Sequence, residues 1–202
     1  MLGHPRLASH EATASKSCSA RFGLAVFSLV AVQAVGLRLM GRPALCECGE
    51  LKLWFGEVRS LQTSQQISDW YSFTHIEHGL IFYFIGWLFF PRVSISRRFL
   101  LALTTEIGWE FLENTPWFVE FYRKQALALG YTGDSIVNSV SDVGFMAFGY
   151  LIAAAAPVWI SVAVVAALEL FLAYSIRDCL ALNILNFFHP FDFISRWQSQ
   201  GR

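Results

Sequence analysis

Residues Glu106 to Asn114, in the order EIGWEFLEN, set three carboxylates and an amide into a stretch that is otherwise apolar. At about 100° per residue, Glu106, Glu110 and Glu113 fall within an arc of roughly 60° on one helix face, with Asn114 at its edge. Two imidazoles, His75 and His78, stand one turn apart in another apolar stretch and share a face. A third stripe carries Asp134, Asn138, Ser141 and Asp142 at i, i+4, i+7 and i+8. Two imidazoles with carboxylates on facing helices suit a divalent metal of the zinc or iron kind. Such an ion lowers the pKa of bound water to about 7 and leaves a spare carboxylate as general base. Accordingly His75, His78, Glu106 and Asp134 are candidate metal ligands, and Glu110, Glu113 and Asp142 are candidate catalytic groups. Without metal, acids this crowded share protons. Simpler readings compete: two histidines can serve as structural hydrogen-bond partners, and Asp134 suits an N-cap.

The elements that must position these groups are membrane helices. Of 202 residues, 55% are hydrophobic and only 15% charged, against about 25% in soluble proteins. A carboxylate at the bilayer centre costs roughly 2.5–3.5 kcal/mol, so the acidic face must look into a bundle interior or a wet cavity. The expected fold is all-α: a polytopic membrane helical bundle of about five transmembrane helices with a polar core near one membrane face. The spans open at Phe22, His75, Phe99, Asp134 and Val158. Residues 1–21 read as a disordered tail, 22–190 as a single bundle domain and 191–202 as a C-terminal tail. A retained anchor over Phe22 to Met40 is preferred to a cleaved signal, because the run is long and no Ala-x-Ala site follows. With antiparallel spans, His75, His78, Glu110, Glu113, Asp134, Asn138, Asp142 and Arg177 come to one end. Arg92, Arg97 and Arg98 fill the connection at the other end, which the positive-inside rule makes cytoplasmic. The polar site then faces the periplasm.

The segment from Gly41 to Thr74 is the main loop. Its Cys46 and Cys48 can bind a metal, form a local disulfide, pair with Cys18 or Cys179, or simply pack a tight turn. Trp54, Trp70 and Tyr71 read as interfacial anchors. Glu77 lies away from the two histidines and reads as an interfacial acid. Glu169 is read as the partner of Arg177.

Several strings carry a resemblance. They are Gly41-Arg42-Pro43 to Cys46-Glu47-Cys48-Gly49 with Lys52-Leu53-Trp54, then Asp69-Trp70-Tyr71 to His78-Gly79, the Glu106 to Asn114 run, and Gly133-Asp134-Ser135 with Asn138-Ser139 and Ser141-Asp142. Together they resemble a family of small multi-pass inner-membrane proteins of alphaproteobacteria whose function is unknown. The resemblance implies the bacterial inner membrane and brings no reaction with it. In architecture alone, His on one span, acids on the next and an Asp/Asn stripe on the third are similar to VanZ-type envelope proteins.

Three function classes remain. One is a membrane enzyme in which a metal and an acid act on a lipid or lipid-linked envelope substrate. Another is a non-catalytic binding or assembly protein whose polar core fixes helix packing or recognises a headgroup. The third, a proton or cation pathway, needs acids through the whole membrane, and the cytoplasmic halves of the spans look dry. A net charge of +0 and a pI near 7.0 offer no basic field for nucleic acid.

Overall fold

The computed structural model describes residues 5–125, 127 and 130–200, with side chains of the first helix from Ser19 onward. Among these residues the chain is all-helical: α1 (Pro5–Leu39), α2 (Ser72–Phe89), α3 (Ile95–Glu113), α4 (Pro116–Arg123), α5 (Ile136–Ala155), α6 (Val158–Ile176), α7 (Leu180–Phe188) and α8 (Asp192–Ser199). Helix α1 runs back through most of the segment read as a disordered tail, where Ala, Leu, Glu and Lys favour a helix. Residues 1–4 of that segment lie outside the described residues.

Three helices are long and apolar enough to cross a membrane: Ser19–Leu39, Ile136–Ala155 and Val158–Ile176. The count of five is therefore not met on composition. The reason is the site itself. Helices α2 and α3 have spanning length, but His75, Glu77 and His78 lower the apolarity of one, and two arginines and three glutamates that of the other. Helix α3 stops at Glu113. Asn114 caps it, and Thr115 then caps α4 by accepting from the Phe118 amide, with Pro116 at the first helical position.

Helix α2 lies at the centre, along α5. Their backbones meet at Gly79 and Gly149. A Cβ at Gly79 would run into the Met146 carbonyl and the Tyr150 amide, and one at Gly149 into the Ile76 carbonyl. Small residues let helix backbones close to this range, where packing replaces the hydrophobic drive that lipid removes. Gly144, on the same helix, faces open space. Leu103, Ile107, Val143, Met146 and Tyr150 form an apolar layer beneath the site, with α1 against α3 and α5.

The loop from Gly41 folds over the α5 end. Pro43 and Ala44 carbonyls accept the Ile136 and Val137 amides, and Ser64 that of Ser135, so the free N–H groups of a helix start are satisfied by the loop. Gln65 donates to Gly133 O at 2.6 Å and Asn138 to Gln66 O at 2.9 Å. Cys46 and Cys48 form a disulfide with each other, and Cys179 is free and buried. The C-terminal helix docks as well: Gln198 is buried, donates to Asp178 at 3.1 Å, and its carbonyl accepts from Arg59 at 2.8 Å.

Candidate functional site

Helices α2, α3 and α5, with the turn that precedes α5 at Asp134, bring all seven candidate residues into one polar core. His75 is buried, with Nδ1 2.6 Å from Glu106 Oε1, 3.6 Å from Glu110 Oε1, and Nε2 3.8 Å from Asp142 Oδ2. His78 Nδ1 lies 3.0 Å from Glu106 Oε2. Glu106 thus takes one imidazole on each oxygen. An ionised carboxylate only accepts, so with Glu106 ionised both rings present Nδ1–H to it and turn Nε2 elsewhere.

Around this clasp each acid has its own support. Ser139 Oγ donates to Glu110 Oε2 at 2.5 Å and is itself held by Gln33 Nε2 at 2.9 Å from α1. The other oxygen of Glu110 is buried and has no hydrogen-bond partner. Ser72 Oγ donates to Asp142 Oδ1 at 2.9 Å. Asp134 accepts from Asn114 Nδ2 at 2.5 Å and from the Tyr131 hydroxyl at 2.8 Å. It is not the α5 cap: Ser135 fills that position and accepts from the Asn138 amide at 3.2 Å, which frees Asp134 to tie α5 to the end of α3. Three groupings place their ligand atoms within 4.8 Å of one another: His75, His78 and Glu106; His75, Glu110 and Asp142; Glu110, Glu113 and Asp134. Among the described residues, no Lys or Arg forms an ion pair with any of these five acids, although each charge left unpaired in a low-dielectric core is costly.

A cavity of about 90 Å³ opens beside this core, lined by His75, His78, Glu113 and Asp142. Glu106, Glu110 and Asp134 stand behind its wall. Its remaining lining includes residues that sequence reasoning did not assign to the site: Trp109, Tyr122, Tyr131, Asp178 and Asn183. Asp178 sits outside the helices, accepting from the Tyr71 hydroxyl at 3.1 Å and the Cys179 amide at 3.0 Å. Burial pushes its carboxyl up to about 7. Burial also raises the carboxyl of Asp69, which holds the loop by accepting the Ser64 and Tyr71 amides.

Two expectations fail here. Arg177 is not part of the site and does not pair with Glu169. It occupies a left-handed turn and donates to Trp197 O at 2.8 Å, while Glu169 accepts the Ala181 amide at 3.1 Å. The chain reverses at Arg177, so the two side chains never continue on one helix face. Glu77, read as interfacial, is fully buried. Gln33 went unassigned because it is a single polar residue in an apolar run, and Ser139 because it lies off the stripe of Asp134, Asn138 and Asp142; only their contact across helices gives them a role.

An all-helical chain with membrane-capable helices and a buried His/carboxylate centre is the class defined by this geometry. The chain belongs to the family described as Protein of unknown function (DUF2585), whose profile matches residues 37–200. It is similar to a UPF0314 protein of Sphingopyxis alaskensis, 46% identical over 178 residues that cover 88% of this chain and 95% of the relative. A UPF0314 protein of Agrobacterium fabrum is 45% identical over 190 residues, 94% of this chain and 96% of the relative. One of Novosphingobium aromaticivorans is 45% identical over 183 residues, 88% and 92%. These organisms are alphaproteobacteria, as the resemblance implied. Nothing in these matches bears on the VanZ-type likeness. No solved structure matches the chain.

Proposed function

We infer that this is a five-span inner-membrane protein whose polar core binds one divalent metal ion and uses it, with an acid, on a lipid or lipid-linked envelope substrate. The observation that carries the reading is the pair of imidazoles held by Nδ1 on one carboxylate, with both rings lining the same cavity as Asp142 and Glu113. A metal-binding histidine commonly gives its other N–H to a carboxylate, which fixes tautomer and ring orientation. In this reading His75 and His78 offer Nε2 on the cavity side, where Asp142 Oδ2 lies 3.8 Å from His75 Nε2, and Glu106 positions both rings. Asp134, engaged by Asn114 and Tyr131, positions α3 against α5. Glu113 lines the cavity as the candidate base, and Glu110 backs His75. A zinc- or iron-class ion would supply an activated water there.

Helices α2 and α3, at roughly 27–28 Å each, are long enough to complete five spans when their polar faces turn inward. The arginine-rich connection between them supports a cytoplasmic position for that end, and a periplasmic one for the cavity. The apolar layer at Leu103, Val143 and Met146 argues against a through-membrane pathway. The second reading, a binding or assembly protein, is favoured by the density of side-chain hydrogen bonds joining α1, α2, α3 and α5. Elemental analysis of the detergent-solubilised protein separates the two. Metal near one per chain, lost on replacing His75 and His78 by Asn, supports the first; a folded protein that takes up neither zinc nor iron refutes it.

A further inference from the structure

The cavity beside the metal-candidate cluster has a charge pattern of its own. Among the described residues none that lines it is Lys or Arg, while Glu113, Asp142 and Asp178 all do. Asp178 belongs to none of the three His/carboxylate groupings, so a single metal ion leaves it unneutralised. An anionic phosphate would meet Glu113, Asp142 and Asp178, with only the His75 and His78 rings among the described lining residues to set against them. The aromatic lining points the same way. Tyr71, Trp109, Tyr122 and Tyr131 surround the space, and two of the phenols are already committed, Tyr71 to Asp178 and Tyr131 to Asp134. What these residues still offer a ligand is ring surface beside carboxylate, the combination that attracts an ammonium group.

The rim says what is attached to that group. Helices α4 and α7, which contribute Tyr122, Leu180 and Asn183, are eight and nine residues long and too short to cross a bilayer. They are joined through Phe118 and Phe187, stacked at 5.6 Å, and they leave Trp117 61% and Phe188 80% exposed. An apolar surface of this kind next to a polar pocket fits a hydrocarbon chain continuing from a head group.

We propose that the cavity takes the ammonium head of an amphiphile, held by Asp178 and the tyrosine and tryptophan rings, with its chain along α4 and α7. This rests on the reading that the cavity is the functional site, and not on the metal. The test is thermal melting of the full chain in maltoside micelles at pH 8, titrated with dodecyltrimethylammonium or with dodecyl phosphate, because a ligand that binds the folded state raises its melting temperature. The ammonium amphiphile stabilises at low mole fraction and the phosphate does not. Asp178→Asn and Tyr122→Leu, each checked for a cooperative unassisted melt, weaken the apparent affinity about tenfold, as expected for loss of a charge or ring contact. Equal or tighter response to dodecyl phosphate overturns the proposal, and so does unchanged affinity in both variants. Metal content is measured on the same samples. Ammonium binding that survives chelation, in a protein without metal, upholds the proposal while the metal reading fails; bound metal with no ammonium preference does the reverse.

Discussion

Glu106→Gln isolates the clasp on which the metal reading depends. The carboxylate receives His75 and His78 on separate oxygens at 2.6 and 3.0 Å. An amide of the same shape keeps one acceptor and turns a donor toward the other ring, so one of the two bonds is lost. A hydrogen bond to a charged group contributes about 1.5–3 kcal/mol, and a stranded buried donor adds to the loss. Removing the buried charge recovers part of its desolvation, leaving a net destabilisation of about 2 kcal/mol. For a chain of this size that lowers the melting temperature by about 4–8 °C. Metal affinity falls about 10- to 100-fold as the freed ring loses its fixed tautomer, while saturation still reaches one ion per chain. Melting in detergent with and without chelator, together with a zinc titration, reads both effects. A variant that melts within roughly 1 °C of the parent and binds metal unchanged would refute the clasp, since neither ring would then depend on it.

Asp178 gives a pH signature. Its folded-state value is about 7 through burial, against about 3.9 in an unfolded chain. Between those values the folded state holds a proton that the unfolded state has released, so stability falls as pH rises through this window, by up to about 4 kcal/mol, and is flat above it. Asp178→Asn is expected to remove this contribution and make the melting profile shallower between pH 5 and 8; an unaltered slope would exclude this carboxyl as a source of it. Gly79→Ala drives a methyl into the α5 backbone and should cost about 3 kcal/mol, whereas Gly144→Ala, facing open space, should be neutral or mildly stabilising. Equal melting of the two variants would contradict the close α2–α5 approach. Cysteine labelling in intact cells should modify position 54 from outside and position 97 only after lysis; the reverse pattern would move the cavity to the cytoplasm.

The parts of the fold legible in the sequence were those with a period. Glu106, Glu110 and Glu113 repeat on one face, as do His75 with His78 and Asp134 with Asp142, and the structure brings all three stripes together. The helical class followed from composition. Span count was harder to read, because a polar site subtracts apolarity from the helices that carry it: α2 and α3 resemble soluble helices for the same reason that they are interesting. Turns were also opaque. Nothing local in Ile176-Arg177-Asp178 marks the left-handed residue that ends α6, so the expected Glu169–Arg177 pair followed a helix that does not continue.

Gln33 shows where reading by period stops. It is one polar residue in the first apolar run, and it is fully buried. Its amide holds Ser139 O at 3.0 Å and Ser139 Oγ at 2.9 Å, and that hydroxyl in turn holds Glu110. A chain of hydrogen bonds therefore crosses from α1 through α5 to α3 and ends on the carboxylate whose second oxygen has no partner. Each link spans more than two dozen residues of sequence. An unpaired oxygen at the end of a fully built chain is not poor packing: the same wall supplies Ser139 to one oxygen and only the His75 ring, 3.6 Å away, to the other. That oxygen faces His75, and it is His75 that joins the buried acids to the cavity.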